Sequence, residues 1–169
     1  MFLYQPPISK EMEKILKEVK EKFKIVPPHW EFLASINPKR FEMFLREISY
    51  LQNHTSINPN FFAFLRLFVA NKEEFFYCKS FNTKLLLAKG YKKEVLKSIR
   101  EDISKIPLDE RHKLLATKAV KAVYQPAEFT LDDIETLKAT SWSDSDIYDA
   151  IDHASFLFKN ARIIKAYSR

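Results

Sequence analysis

The only cysteine of this 169-residue chain, Cys78, lies in the stretch EEFFYCKSFNTKLLLAKG, residues 73–90, which ends on the only glycine, Gly90. A thiol near a helix N-terminus feels partial positive charge, which lowers its pKa and makes it reactive as the thiolate. On an aromatic-rich helix the same thiol is equally a small buried hydrophobe with an inert S–H. Glu73 and Glu74 would stabilise the start of such a helix but oppose thiolate formation, and Lys79 would favour it if it comes near. The residues alone leave both readings of Cys78 open.

Other chemistry finds less support. The histidines, His29, His54, His112 and His153, lie on four separate segments, and no pair has the i, i+4 spacing of helical metal ligands. No metal is expected, and His153 in DAIDHASF reads as a hydrogen-bonded structural histidine. With one glycine there is no nucleophile elbow, no phosphate cradle and no dinucleotide fingerprint, so no cofactor is expected either. A lone cysteine excludes an internal disulfide and a cysteine-based metal cluster, and suits a reducing cytosol. The net charge of +6 comes from 28 basic and 22 acidic residues that mix along helices such as EMEKILKEVKEKFK. That pattern is a solvated face with helix-spaced ion pairs rather than a nucleic-acid arm. A helix-turn-helix placed on LDDIETLKATSWSDSDIYDAI would open its second helix with Asp144 and Asp146, the wrong sign for phosphates. MFLYQPP lacks the features of a secretory signal, and the apolar runs FFAFL and LFVA are short and separated by Arg66. A soluble, cytoplasmic protein that binds neither nucleic acid nor membrane is expected.

The elements that must position these residues are helical nearly throughout. Ser9 caps a first helix with Met12, Ile15, Leu16, Val19 and Phe23 on one stripe, and VPPHW then breaks the chain before WEFLA. Asn37-Pro38 and Asn58-Pro59 each read as N-cap and first helical residue. The second opens FFAFLRLFVANK, part of a segment with seven phenylalanines between Phe61 and Phe81. A helix apolar on most of its circumference is buried on several sides, and in a chain this small a second subunit is expected to cover part of it. Gly90 ends the cysteine helix in the left-handed region, KKEVLKSIRED follows, and Asp109 opens a helix to about Tyr124. Thr130 with Asp133 and Ser143 with Asp146 resemble capping boxes, the latter opening the longest helix. No repeat, low-complexity tract or linker divides the chain, so the reading is one all-α domain over residues 1–169.

The block FLRLFVANKEEFFYCKSFNTKLLLAKGYKKEVL resembles the core of the alkyl hydroperoxidase D and carboxymuconolactone decarboxylase family, in its peroxidase-related branch. The family pattern is a helix opening with Arg-Glu, then Cys-x-x-Cys-x-x-x-His, then an alanine-rich stretch ending in Gly. Tyr77, Cys78, Thr83, Ala88 and Gly90 stand at the matching positions for Tyr, the second Cys, Thr, Ala and Gly. TLDDIETLKAT, WSDSDIYDAIDHASFLFKNARIIKAY and VPPHWEFLASINP resemble flanking family segments, so nearly the whole chain is covered, with the core motif region at 59–102. The resemblance implies a helical bundle of that type and a homo-oligomer, a dimer, a trimer or a multiple of these. In the family the second cysteine attacks peroxide, the first resolves it as a disulfide, and His and Glu assist proton transfer. Here the first cysteine is matched by Phe75, the histidine by Asn82 and the glutamate by Ala63; Cys78 alone is retained. Phe cannot resolve a sulfenic acid and Asn is no base near pH 7. The expectation is a non-catalytic or strongly impaired oligomeric member. The alternative is a one-cysteine peroxidase whose Cys78 sulfenic acid is resolved by an external thiol or a partner protein.

Overall fold

The structure, a computed structural model, describes residues 2–168. They form nine α-helices: α1 Lys10–Phe23, α2 Pro28–Ile36, α3 Pro38–Gln52, α4 Pro59–Lys72, α5 Phe76–Ala88, α6 Lys93–Glu101, α7 Glu110–Tyr124, α8 Leu131–Ala139 and α9 Asp144–Ala166. Short 3-10 turns, Ile103–Lys105 and Pro126–Glu128, flank α7. Among the described residues there is no strand, only an isolated antiparallel bridge between Phe2 and Ser168.

Local chemistry starts six of the helices where the capping signals place them. Ser9 Oγ accepts from the Met12 amide at 3.3 Å, Asn37 Oδ1 from Arg40 at 3.1 Å, Asn58 Oδ1 from Asn60 at 2.9 Å and Asp109 Oδ1 from His112 at 2.9 Å. Thr130 and Asp133 form the reciprocal capping box, as do Ser143 and Asp146. VPPHW both ends and begins: Pro28 is the first residue of α2.

Three helices stop by one device. Glu74, Gly90 and Ser141 adopt positive φ of 52°, 89° and 67°. In each case the next residue reaches back to the fifth carbonyl before it: Phe75 to Ala70 at 2.7 Å, Tyr91 to Leu86 at 3.2 Å, Trp142 to Leu137 at 3.3 Å. These are Schellman endings, and each is followed by an aromatic residue. The first corrects the expected extent of the cysteine helix. Glu73 and Glu74 do not open it: Glu73 ends α4, Glu74 makes the left-handed turn, and α5 begins at Phe76.

The described chain falls into two compact units: the described part of Met1–Asn53 with Ile163–Arg169, and His54–Arg162. In the smaller unit, α1 to α3 bury Met12, Leu16, Trp30, Phe32 and Phe41, with Trp30 edge-on to Phe44 at 5.0 Å. Phe2 stacks on Phe32 at 4.3 Å, and the Leu3 amide donates to the Tyr167 carbonyl at 2.8 Å.

The larger unit is built around α4, of whose fourteen residues nine are buried. It packs along α5, α6 and α7. Each fully buried Phe or Leu contributes roughly 1.5–3 kcal/mol of apolar transfer free energy, so this helix anchors the unit. The chain itself covers Phe61, Phe62, Phe64 and Phe68, so the phenylalanine-dense helix does not need a second subunit to hide it.

Candidate functional site

α4 and α5 are joined by the tight turn at Glu74 and pack along each other. Cys78 lies in the first turn of α5 and is only 4% exposed. One turn on, Asn82 is wholly buried; its amide nitrogen donates to the Cys78 carbonyl at 2.8 Å and to Cys78 Sγ at 3.2 Å. Asn82 Oδ1 accepts from Arg66 Nε of α4 at 2.9 Å. Arg66 Nη1 lies 3.1 Å from Nε2 of His153 on α9. A guanidinium only donates, so His153 Nε2 is the acceptor and its ring proton is assigned to Nδ1. The result is a chain of polar contacts, Cys78–Asn82–Arg66–His153, inside an aromatic wall where Phe62 meets the His153 ring edge-on at 5.4 Å.

Burial pushes the Cys78 thiol up from 9.0 to about 11, against the opposing pull of the Arg66 charge and the Asn82 hydrogen bond. At pH 7 the thiolate fraction is then on the order of one in ten thousand. Desolvation wins over both the cation and the hydrogen bond. The cation acting on the thiol is Arg66, not Lys79 of its own helix.

Ala63 and Phe75, the other two positions singled out from the sequence, are also in the core. Ala63 is 1% exposed and Phe75 4%. Phe75 has a structural task, because it is the aromatic residue that follows the left-handed turn ending α4.

The remaining histidines are used locally. His54 Nδ1 accepts from the amides of Ser56 at 3.2 Å and Ile57 at 3.0 Å, which leaves Nε2–H to face Asp149 at 3.3 Å. His112 Nε2 accepts from the Asn58 amide at 3.1 Å, so Nδ1–H donates to Asp109 at 2.7 Å. His29 belongs to α2 of the smaller unit, where burial pushes its pKa down to about 3. Among the described residues no group of three His, Cys, Asp or Glu side chains could hold a metal ion, and no helix is long and apolar enough to cross a membrane.

Sequence reasoning placed Cys78, Asn82, Phe75 and Ala63 but missed Arg66 as a site residue, treating it only as a break between apolar runs. The signal was present: a cation in a helix otherwise buried needs hydrogen-bond acceptors, and Asn82 and His153 supply them.

The sequence matches no protein-family model and no curated protein. Its fold does match solved structures. An uncharacterized peroxidase-related protein from Silicibacter sp. TM1040 superposes with a TM-score of 0.82 at 20% identity, over 96% of this chain and 85% of that one. An uncharacterized peroxidase-related protein from Ralstonia eutropha JMP134, described as an alkylhydroperoxidase AhpD core, superposes with a TM-score of 0.82 at 18% identity, over 98% and 89%. The chain therefore has the all-α fold of these alkyl hydroperoxidase D-like, peroxidase-related proteins.

Proposed function

We propose that this chain is a non-catalytic, oligomeric member of the alkyl hydroperoxidase D-like group, in which the peroxide-reducing site has become a packed core. The observation that carries the reading is the state of Cys78: buried, protonated at neutral pH and hydrogen-bonded by Asn82. In two-cysteine chemistry a thiolate attacks the O–O bond, becoming a sulfenic acid as the distal oxygen leaves and is protonated to water or alcohol. A second thiol then displaces water from the sulfenic sulfur to form a disulfide. This chain has no second thiol, and Phe75, Asn82 and Ala63 offer neither a nucleophile nor a base.

The oligomer is supported by exposed apolar side chains rather than by α4. Phe76, Leu131 and Tyr148 of the larger unit are about two-thirds exposed, at 68%, 69% and 68%. Such side chains suit burial against a second copy, and an obligate interface would cover roughly 2,000 Å² or more. The single cysteine and the absence of any disulfide partner in the chain suit a reducing, cytoplasmic setting.

One observation favours the one-cysteine reading instead. Arg66 and Asn82 both stabilise a thiolate at Cys78, so a motion that admitted water would expose an already assisted nucleophile, with an external thiol or partner protein as resolving group. The deciding experiment is the rate at which Cys78 of the folded protein reacts with a thiol reagent. Reaction only on unfolding supports the non-catalytic reading; a fast, pH-dependent reaction below pH 7 supports the enzyme.

A further inference from the structure

The larger unit carries an open cleft of about 790 Å³ between the turn Ile103–Lys105, the start of α7 and Thr140, which follows α8. None of Cys78, Asn82, Arg66 and His153 lines it. Its wall is mixed: Ile106, Pro107 and Leu114 supply apolar surface, and Lys105, Arg111 and Lys113 supply positive charge. Glu110 is the carboxylate of the wall, and it pairs with Lys113 at 2.6 Å. Lys105 and Arg111 have no such counter-ion, because neither forms an ion pair among the described residues. The acids within their electrostatic reach are engaged in caps. Asp102 accepts from the Ser104 amide at 2.9 Å, and Asp109 from the His112 amide at 2.9 Å and the His112 ring at 2.7 Å.

Arg111 is held in place from two sides. Its guanidinium lies over the Trp142 ring, 3.8 Å from the centroid, and the Trp142 indole N–H donates to the Arg111 carbonyl at 3.0 Å. Nη2 donates to the Ser141 carbonyl at 3.3 Å, Nε is buried without an acceptor, and no other side-chain bond of Arg111 forms among the described residues. A guanidinium stacked and tethered in this way loses little rotamer freedom on binding and keeps terminal N–H groups for a ligand. A carboxylate accepts charge-assisted hydrogen bonds from such a planar fork, and a hydrocarbon chain attached to it gains by covering apolar wall.

We propose that this cleft binds a small amphipathic carboxylate, with Arg111 anchoring the anionic oxygens, Lys105 as a second positive charge, and Ile106, Pro107 and Leu114 against the hydrocarbon chain. The site does not require Cys78 to react, so it stands apart from the question of catalysis.

The test is calorimetric titration of the full chain with hexanoate at constant ionic strength. Hexanol and acetate serve as probes that keep only the chain or only the charge. The wild type is expected to bind hexanoate with Kd near or below about 1 mM, and the other two at least about tenfold more weakly. Arg111→Gln should weaken hexanoate binding about tenfold and Lys105→Gln about threefold. Lys84→Gln, a charge-matched change at an exposed lysine outside the cleft, should leave it unchanged. Arg111→Gln also loses the stack on Trp142, and its melting temperature shows whether it folds. The exposed Lys105 side chain has no hydrogen bond to lose, so Lys105→Gln decides the matter should Arg111→Gln unfold. Failure to bind hexanoate, binding of hexanol or acetate as tightly as hexanoate, unchanged binding in folded Arg111→Gln or in Lys105→Gln, or equal weakening in Lys84→Gln overturns the proposal.

Discussion

In the proposed reading Asn82 replaces a proton-transfer residue and does none of that work. Its amide nitrogen rests on the Cys78 sulfur and its oxygen on Arg66, so it links the thiol to a cation without being able to take a proton. The folded state keeps the Cys78 proton to about pH 11, whereas an exposed thiol loses it near the ordinary 9.0. Between those values the folded chain binds more protons than the unfolded one. The thiol's contribution is therefore full below pH 9 and is lost as pH rises through about 11, a fall of about 2–3 kcal/mol. Denaturant titrations from pH 8 to 11 should show that fall in the wild type and a shallower one in Cys78→Ala; parallel curves would contradict it. Asn82→Ala should cost about 1–3 kcal/mol, because the Arg66 Nε–H loses its acceptor, and should push the thiol pKa still higher; urea denaturation and a pH-rate profile with a thiol reagent check both. Cys78 and Asn82 were legible because they are one helical turn apart in a short motif. The Arg66–His153 contact was not, because it joins residues 87 apart in sequence, and no local pattern encodes it.

At the scale of the helix, the legible features are those whose cause is local. Ser9, Asn37, Asn58, Asp109, Thr130 and Ser143 carry side-chain oxygens that reach the next turn, so their helix starts could be read directly. Helix ends were legible where proline or glycine marked them, as at Pro27, Pro126 and Gly90. Glu74 and Ser141 make the same left-handed turn as Gly90 without a glycine, which is why the start of α5 was misplaced by three residues. The shared geometry makes a paired prediction. Gly90→Ala should destabilise by about 1 kcal/mol through φ alone, since nothing lies within 4 Å of the added Cβ, and Ser141→Gly should stabilise by about 0.5–1 kcal/mol. Thermal denaturation of the two variants gives the signs, and equal signs would contradict the account. Asp133 is the other load on an element end: hydrogen bonds from Lys118 and Lys121, with the Thr130 amide, hold its carboxyl well below the usual carboxylate range. A depressed folded pKa contributes stability above the unfolded value, lost as pH falls through the folded one. Asp133→Asn should therefore lower the melting temperature at pH 7 and change it much less at pH 2.

For the molecule as a whole, helical periodicity and caps made the all-α fold readable, while the proposal that its site is emptied rests on a resemblance and not on any local pattern. α4 is covered within the chain, so the proposed self-association would use other surfaces, Phe76, Leu131 and Tyr148 among them. Light scattering at micromolar concentration should give a dimer or a larger assembly, and a monomer would refute that part of the account. The central claim is that the scaffold persists without the reaction. Peroxide consumption with a dithiol reductant, compared between wild type and Cys78→Ser at equal concentration, tests it most directly. The account predicts that the two proteins are indistinguishable from buffer; robust turnover in the wild type that vanishes in Cys78→Ser would contradict it.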